Sequence, residues 1–266
     1  MTKTKVDSLK LLAFLTMVVD HIGLLFFPHL SFFRTIGRLS FPLFAYGIAR
    51  GYQYTSNKKR YFYRMVLYAF VSQVPYSFLN PELNFRPFRL NILFTFVIGL
   101  LLLMLIDKVR EDKRWVPVIV IAPIFIYFFE GTGLSISYGA YGLLLIITFY
   151  LFLESTFLIT AFTLISVITL FIEAGLTFIE VNLDLDSKVS SVIILVKNID
   201  TVFKTLIESR GFLLLEGSFF QMRSLLAFVP LLLRKNEWFV WMNKQWVYWF
   251  YPLHLFILIG MKYFMI

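Results

Sequence analysis

Two ionisable side chains stand next to each other inside an apolar run: Asp20 and His21, within Leu9 to Pro28. At 1.5 Å per residue they lie about 17 Å into that run, a little past the centre of a bilayer if the run crosses one. Ionisable groups at such depth are expensive to keep and by default mark a site or a polar network. Successive helical residues diverge by about 100°, so the carboxylate and the imidazole should face different neighbouring helices rather than each other. A buried imidazole held in one tautomer by an acceptor is suited to take a proton from an amine or hydroxyl nucleophile. The structural alternative is a polar pair that ties helices together.

Few other residues could join such chemistry. Arg34 and Arg38 are four residues apart, hence on one face of a second helix, alongside Asp20 if the first two helices form a hairpin. They could pair with Asp20, or hold a negative thioester oxygen or phosphate, for which Arg38 is the better placed. His254 follows Tyr251-Pro252-Leu253 in the last apolar run, about 12 Å from its start, so it could approach His21. His21, His29 and His254 match no metal-ligand spacing, and no metal is expected. Gln73 and Asn91 are polar groups of the kind that hydrogen-bond between helices. Arg50, Lys58, Lys59, Arg60 and Arg64 form a basic loop that could bind the phosphates of a cytosolic donor, although membrane topology also explains it.

The elements that position these residues follow from composition. Of 266 residues, 59% are hydrophobic and 15% charged, with a mean hydropathy of +0.78, which leaves too little polar surface to cover a soluble globule. Cysteine is absent, which removes disulfides, thiolate metal sites and a cysteine nucleophile. The net charge of +9 sits in loops between apolar runs rather than in a basic domain, so nucleic acid is not the expected partner. The expected fold is all-α: one domain over 1–266, a polytopic transmembrane bundle of about nine spans, with eight to ten possible. The spans are roughly 9–28, 33–50, 61–79, 91–106, 115–129, 138–153, 157–179, 212–233 and 246–265. The first carries Lys3, Lys5 and Lys10 ahead of it but no small-residue cleavage site, so it is expected to be a retained helix. Those lysines, the 50–64 loop, the cluster Lys108 to Arg114 and the group Arg234, Lys235 and Lys244 fall on one side, which predicts a cytoplasmic N-terminus. The charged segment 182–211 repeats apolar residues every three or four positions, from Val192 and Leu195 to Leu206 and Ile207, and is expected to be an interfacial amphipathic helix on the outer surface. No internal repeat suggests an inverted-repeat transporter.

Several short runs, taken in order, carry a resemblance. Leu9-Lys10-Leu11-Leu12-Ala13 leads to Asp20-His21-Ile22-Gly23. Then come Gly37-Arg38-Leu39-Ser40-Phe41-Pro42-Leu43-Phe44, Val71-Ser72-Gln73-Val74-Pro75, Asn91-Ile92-Leu93-Phe94-Thr95, Tyr141-Gly142 and Phe250-Tyr251-Pro252-Leu253-His254-Leu255. Together they resemble the TraX family. The resemblance implies a bacterial inner-membrane acetyltransferase, named for conjugal transfer proteins that acetylate the N-terminus of pilin and related to membrane acyltransferases that decorate polysaccharides. On it, acetyl-CoA would be the cytosolic donor and an amine or hydroxyl of an envelope-associated protein or glycan the acceptor, within a membrane whose lipids surround the bundle. His21 would be the general base, Asp20 would position it, Arg38 would stabilise developing negative charge and His254 would hold the donor or orient the acceptor. Arg34, Gln73 and Asn91 would contact the acceptor, and the 50–64 cations the donor. The rival class is non-enzymatic: a transporter of a lipid-linked precursor, or a scaffold of a conjugation or secretion assembly.

Overall fold

The computed structural model describes residues 3–112, 135–183, 188–208, 223–236 and 239–265. The fold class is all-α. In chain order the helices are α1 (Ser8–Phe26), α2 (Ser31–Gly37), α3 (Ser40–Tyr54), α4 (Lys58–Tyr76), α5 (Ile92–Glu111), α6 (Gly139–Phe152) and α7 (Leu158–Leu183). They continue as α8 (Lys188–Lys197), α9 (Ile199–Glu208), α10 (Phe228–Leu232) between two short 3-10 turns, and α11 (Lys244–Tyr263). Two of them, Ser8–Phe26 and Ile92–Arg110, are long and apolar enough to cross a membrane, with mean hydropathies of 1.8 and 2.4. Large apolar side chains such as Leu15, Phe70, Val74, Leu101, Leu164 and Phe256 face outward, a surface suited to lipid rather than water. The chain is a membrane protein. The span expected at 115–129, and the first half of that at 212–233, lies outside the described residues.

Two helix starts are set by side chains that replace missing backbone partners. Asp7 caps α1 by accepting from the Lys10 N–H at 2.7 Å, and Asn91 caps α5 by accepting from the Leu93 N–H at 2.9 Å. The expected single helix over 33–50 is instead two. The chain closes α2 with short-range bonds from the Arg38 and Leu39 N–H groups to the Thr35 and Ile36 carbonyls. Pro42 has no N–H with which to continue the ladder back to Arg38, and the Ser40 hydroxyl donates to the Gly37 carbonyl at 2.7 Å. Arg34 and Arg38 therefore sit on a seven-residue half-helix and at its end, not on one long face.

Strands absent from the sequence expectation tie the bundle at two places. β1 (Lys3–Asp7) pairs antiparallel with β4 (Phe239–Asn243), and each runs directly into a helix, α1 and α11. Contacts between those helices step forward together, Phe14 with Phe250, His21 with His254 and Phe26 with Lys262, so α1 and α11 run in the same direction. β2 (Arg89–Leu90) pairs parallel with β3 (Ser135–Ile136) at the start of α5 and α6. The core lies among α1, α3, α5, α6 and α7, centred on Phe41, Leu43, Leu100, Leu145, Phe149 and Phe162, each at most 1% exposed.

The described part of segment 182–211 is helical, as expected, but not as one helix. α7 runs on to Leu183, and the described remainder is two helices parted at Asn198, whose N–H returns to the Ile194 carbonyl at 3.0 Å. The break divides the apolar face: Leu195 and Val202 pack on Leu176 and Ile179 of α7, while Val196 and Ile199 stand exposed.

Candidate functional site

α1 brings His21 against α11. His21 Nδ1 lies 2.8 Å from His254 Nε2, and the two ring planes differ by 2° with centroids 5.1 Å apart. That separation matches the N···N distance plus the two ring radii, so the rings meet edge to edge in a common plane, as a linear hydrogen bond requires. His254 Nδ1 lies 2.9 Å from the Phe250 carbonyl, which can only accept. His254 Nδ1 therefore carries the proton. In the neutral form of both rings His254 Nε2 is then an acceptor, and His21 Nδ1 donates to it. The consequence is a fixed tautomer: His21 Nε2 keeps its lone pair.

His21 also lines a cavity of about 290 Å³. Its charged lining comes from Asp20, Arg34, Arg38 and Arg89; Tyr76, Tyr138, Tyr251, Ser40 and Ser137 add hydroxyls. Asp20 faces a different helix from His21, as their angular separation on α1 requires, and pairs with Arg34 at 2.5 Å. Gly37 permits this approach, since a Cβ there would collide with the Asp20 carboxylate. The Arg38 guanidinium lies over the Tyr138 ring at 5.7 Å, and that ring stacks on Phe41 at 3.9 Å. Tyr138 holds φ at 63°, a left-handed conformation rare for an aromatic residue. Gly142 leaves room for that turn, because a Cβ there would come within 2.8 Å of Phe41, 2.9 Å of Thr95 and 3.1 Å of Tyr138. Strain of this sort persists only where surrounding packing enforces it, and here it sets a hydroxyl in the cavity.

The remaining sequence candidates fall elsewhere. His254 is not among the residues that line the cavity; it stands behind His21, in hydrogen-bond contact with it. Gln73 and Asn91 do not line it either. Gln73 Oε1 accepts from the Asn91 N–H and Nδ2, and Gln73 Nε2 donates to the Arg89 carbonyl at 2.9 Å and the Pro87 carbonyl at 3.3 Å. The Ser137 hydroxyl donates to the Leu90 carbonyl at 2.9 Å. These bonds pin the backbone of the 85–91 loop, so Gln73 and Asn91 serve to present Arg89.

The five cations of the 50–64 loop do not form one cluster, and they lie at the opposite end of the bundle. From Lys58 to Tyr76 α4 rises about 27 Å. Arg50 pairs with Asp7 at 3.4 Å and Lys58 with Asp107 at 2.5 Å, while Arg64 lies over the Tyr248 ring at 5.1 Å. Lys59 and Arg60 are exposed. The Asp107 carboxylate also accepts from the Tyr52 and Tyr150 hydroxyls, so Lys58 belongs to a closed network. A second, apolar cavity of about 130 Å³ reaches from Lys10, Tyr61 and Tyr248 at that end to Met17, Ile92 and Tyr251, which also line the first.

Sequence reasoning did not find Arg89, Tyr76, Tyr138 or Ser137. Arg89 sits in a polar loop and the others near helix ends, where no spacing rule singles them out. Tyr251 lies within the aromatic-Pro-Leu-His run that carries His254 and could have been taken from it.

A helical membrane protein with a basic nitrogen and, among the described residues, three guanidinium groups around one cavity is thereby defined. Residues 5–262 match the family described as TraX protein. The chain belongs to the TraX family. It is 30% identical to the probable fimbrial assembly protein FimC, serogroup H1, of Dichelobacter nodosus, over 41% of this chain and 48% of that protein. It is 37% identical to an uncharacterized protein of Rickettsia prowazekii (strain Madrid E), over 26% of this chain and 25% of that one. The chain thus spans half or less of the length of these curated relatives. No solved structure matches it significantly.

Proposed function

We propose that the protein is a membrane acetyltransferase that moves an acetyl group from cytosolic acetyl-CoA to a hydroxyl or amine of an envelope-associated acceptor. The observation that carries this is the Phe250–His254–His21 chain, which leaves a lone pair on Nε2 of a ring that lines the charged cavity. His21 Nε2 takes the proton of the acceptor O–H or N–H as its heavy atom attacks the thioester carbonyl. The oxyanion of the tetrahedral intermediate is held by the Arg38 guanidinium. Collapse breaks the C–S bond, and the leaving thiolate takes the proton back from His21, giving the acetylated acceptor and free coenzyme A. The apolar cavity from Lys10 and Tyr248 to Tyr251 offers the donor's thioester arm a path, with Arg64 beside its entrance for the donor's phosphates.

The membrane setting follows the same reading: a bacterial inner membrane, about nine spans and a cytoplasmic N-terminus. The shared direction of α1 and α11 supports an odd number of crossings, and the basic 50–64 loop supports the orientation. The name of the FimC relative supports a setting in fimbrial or pilus assembly. The test is to supply membranes containing the protein with labelled acetyl-CoA and follow label into envelope components. Label should enter an acceptor and be lost with His21→Ala at unchanged expression and folding. Transfer undiminished in that variant removes His21 from the mechanism, and no transfer by the unaltered protein to any envelope fraction refutes the activity.

A further inference from the structure

The polar cavity around His21 and the apolar cavity that starts at Lys10 and Tyr248 meet along three residues, Met17, Ile92 and Tyr251, which line both. A methionine and an isoleucine offer no side-chain hydrogen-bond donor. Tyr251 alone of the three brings a hydroxyl to the boundary, and it is buried. Its ring stands edge-on to both imidazoles, with centroids 6.4 Å from His21 and 5.4 Å from His254 and interplanar angles of 64° and 62°. The two angles agree because the imidazoles share a plane, so one tyrosine packs against the whole histidine pair. Its hydroxyl also interacts electrostatically with Tyr76, Tyr138 and Arg89, all of which line the polar cavity. Lengths along the bundle bring a donor's reacting group to this boundary. α1 rises about 10.5 Å from Lys10 to Met17 and about 16.5 Å from Lys10 to His21. The pantetheine arm of coenzyme A is as long as about four extended residues, roughly 14 Å. With its phosphate end at the Lys10 mouth, the arm ends between Met17 and His21, where Tyr251 lines the boundary.

We propose that Tyr251 is a further catalytic residue, its hydroxyl donating a hydrogen bond to the carbonyl oxygen of the donor's acetyl thioester where the apolar cavity meets the polar one. The inference rests on the acetyl-transfer reading and adds to it the point at which the donor's carbonyl is held. As the acceptor attacks, the carbonyl oxygen gains negative charge, and a donor fixed at that oxygen stabilises the transition state more than the ground state. Of the two cavities Arg38 lines only the polar one, so it reaches the oxygen from the acceptor's side, and Tyr251 reaches it from the donor's side. The bonds made and broken are those of the transfer alone, and the tyrosine keeps its proton throughout.

The full chain in phosphatidylcholine nanodiscs is loaded with a ketone analogue of acetyl-CoA, in which a methylene replaces the thioester sulfur and the carbonyl carbon is ¹³C, and the carbonyl stretch is read by infrared difference spectroscopy. The stretch should lie lower in the unaltered protein than in Tyr251→Phe, which keeps the ring and should keep the melting temperature. Replacement of Tyr251 by 3-fluorotyrosine, a stronger donor of nearly the same volume, should lower the stretch further, and it tests the contact even if the phenylalanine variant misfolds. Initial rates with labelled acetyl-CoA should show kcat reduced about a hundredfold in Tyr251→Phe, the loss on removing one oxyanion donor, with KM for acetyl-CoA changed by less than about threefold. Equal stretches in these proteins, or kcat in Tyr251→Phe within about twofold of the parent, overturns the proposal and leaves the acetyltransferase standing. A raised KM at unchanged kcat also overturns it, since the tyrosine then only holds the arm. An analogue that does not bind the unaltered protein, together with no acetyl transfer to any envelope fraction, refutes the acetyl-transfer reading itself.

Discussion

Replacing His254 separates a positioning role from a packing role. In His254→Phe the ring is conserved in size but His21 Nδ1 loses the acceptor at 2.8 Å. Leaving one buried donor unmade costs about 1–3 kcal/mol, and His21 escapes it by moving its proton to Nε2 toward the polar cavity. That move removes the base. A positioned general base contributes roughly 10²–10⁴ in rate, so acetyl transfer should fall by that factor while the protein still folds. In His254→Gln the side-chain oxygen can accept from His21 Nδ1, so a substantial part of the rate should return. The assay is initial-rate transfer from labelled acetyl-CoA, read beside the ¹⁵N spectrum of histidine-labelled protein. With only three histidines in the chain, the ring nitrogens can be assigned by deleting each in turn. The unaltered protein should show His21 and His254 both protonated at Nδ1, the minor tautomer of free histidine, and His254→Phe should shift the His21 proton to Nε2. A His21 Nε2–H signal in the unaltered protein refutes the reasoning, as does His254→Phe activity within about twofold of the parent, a difference too small to represent a lost base.

Two further outcomes follow from the same geometry. Arg34→Gln strands the Asp20 carboxylate against Gly37 and should lower stability by about 3 kcal/mol, with most of it regained in Asp20→Asn/Arg34→Gln; thermal unfolding in detergent checks this, and equal stability of the single and double variants contradicts the pairing. Gln73→Leu leaves the Asn91 N–H and the Arg89 carbonyl without their partner, so the 85–91 loop should exchange amide hydrogens faster, by about tenfold or more; unchanged exchange there means that the loop is held by other contacts.

Much of the architecture was legible because lipid imposes simple rules. Apolar runs long enough to cross announced α1 within two residues at either end and the start of α5 within one, although α5 runs five residues past its expected end, and the expensive polar residues within such runs, Asp20, His21 and His254, announced the site. The angular argument that Asp20 and His21 face different neighbours needed only helix geometry, and the structure supplies those neighbours as Arg34 and His254. The break at Arg38 was less legible. Pro42 sits in the first turn of α3, where proline is tolerated, so its presence alone does not say whether a helix stops before it or continues. The split of the 182–211 segment at Asn198 escaped for a similar reason: apolar periodicity continues across a break of one residue.

By itself, then, the sequence determined that this chain belongs in a membrane as a helical bundle, and which ionisable groups lie deep within it. Hydrophobicity and charge are properties of each residue, and their period along the chain survives without knowing the partners. Only the tertiary structure decided that His254 stands behind His21, that Gln73 works through a loop, and that Arg89 completes the cavity. His21 and His254 are 233 residues apart, and the proton's place on each ring depends on a contact between two helices that no local pattern records.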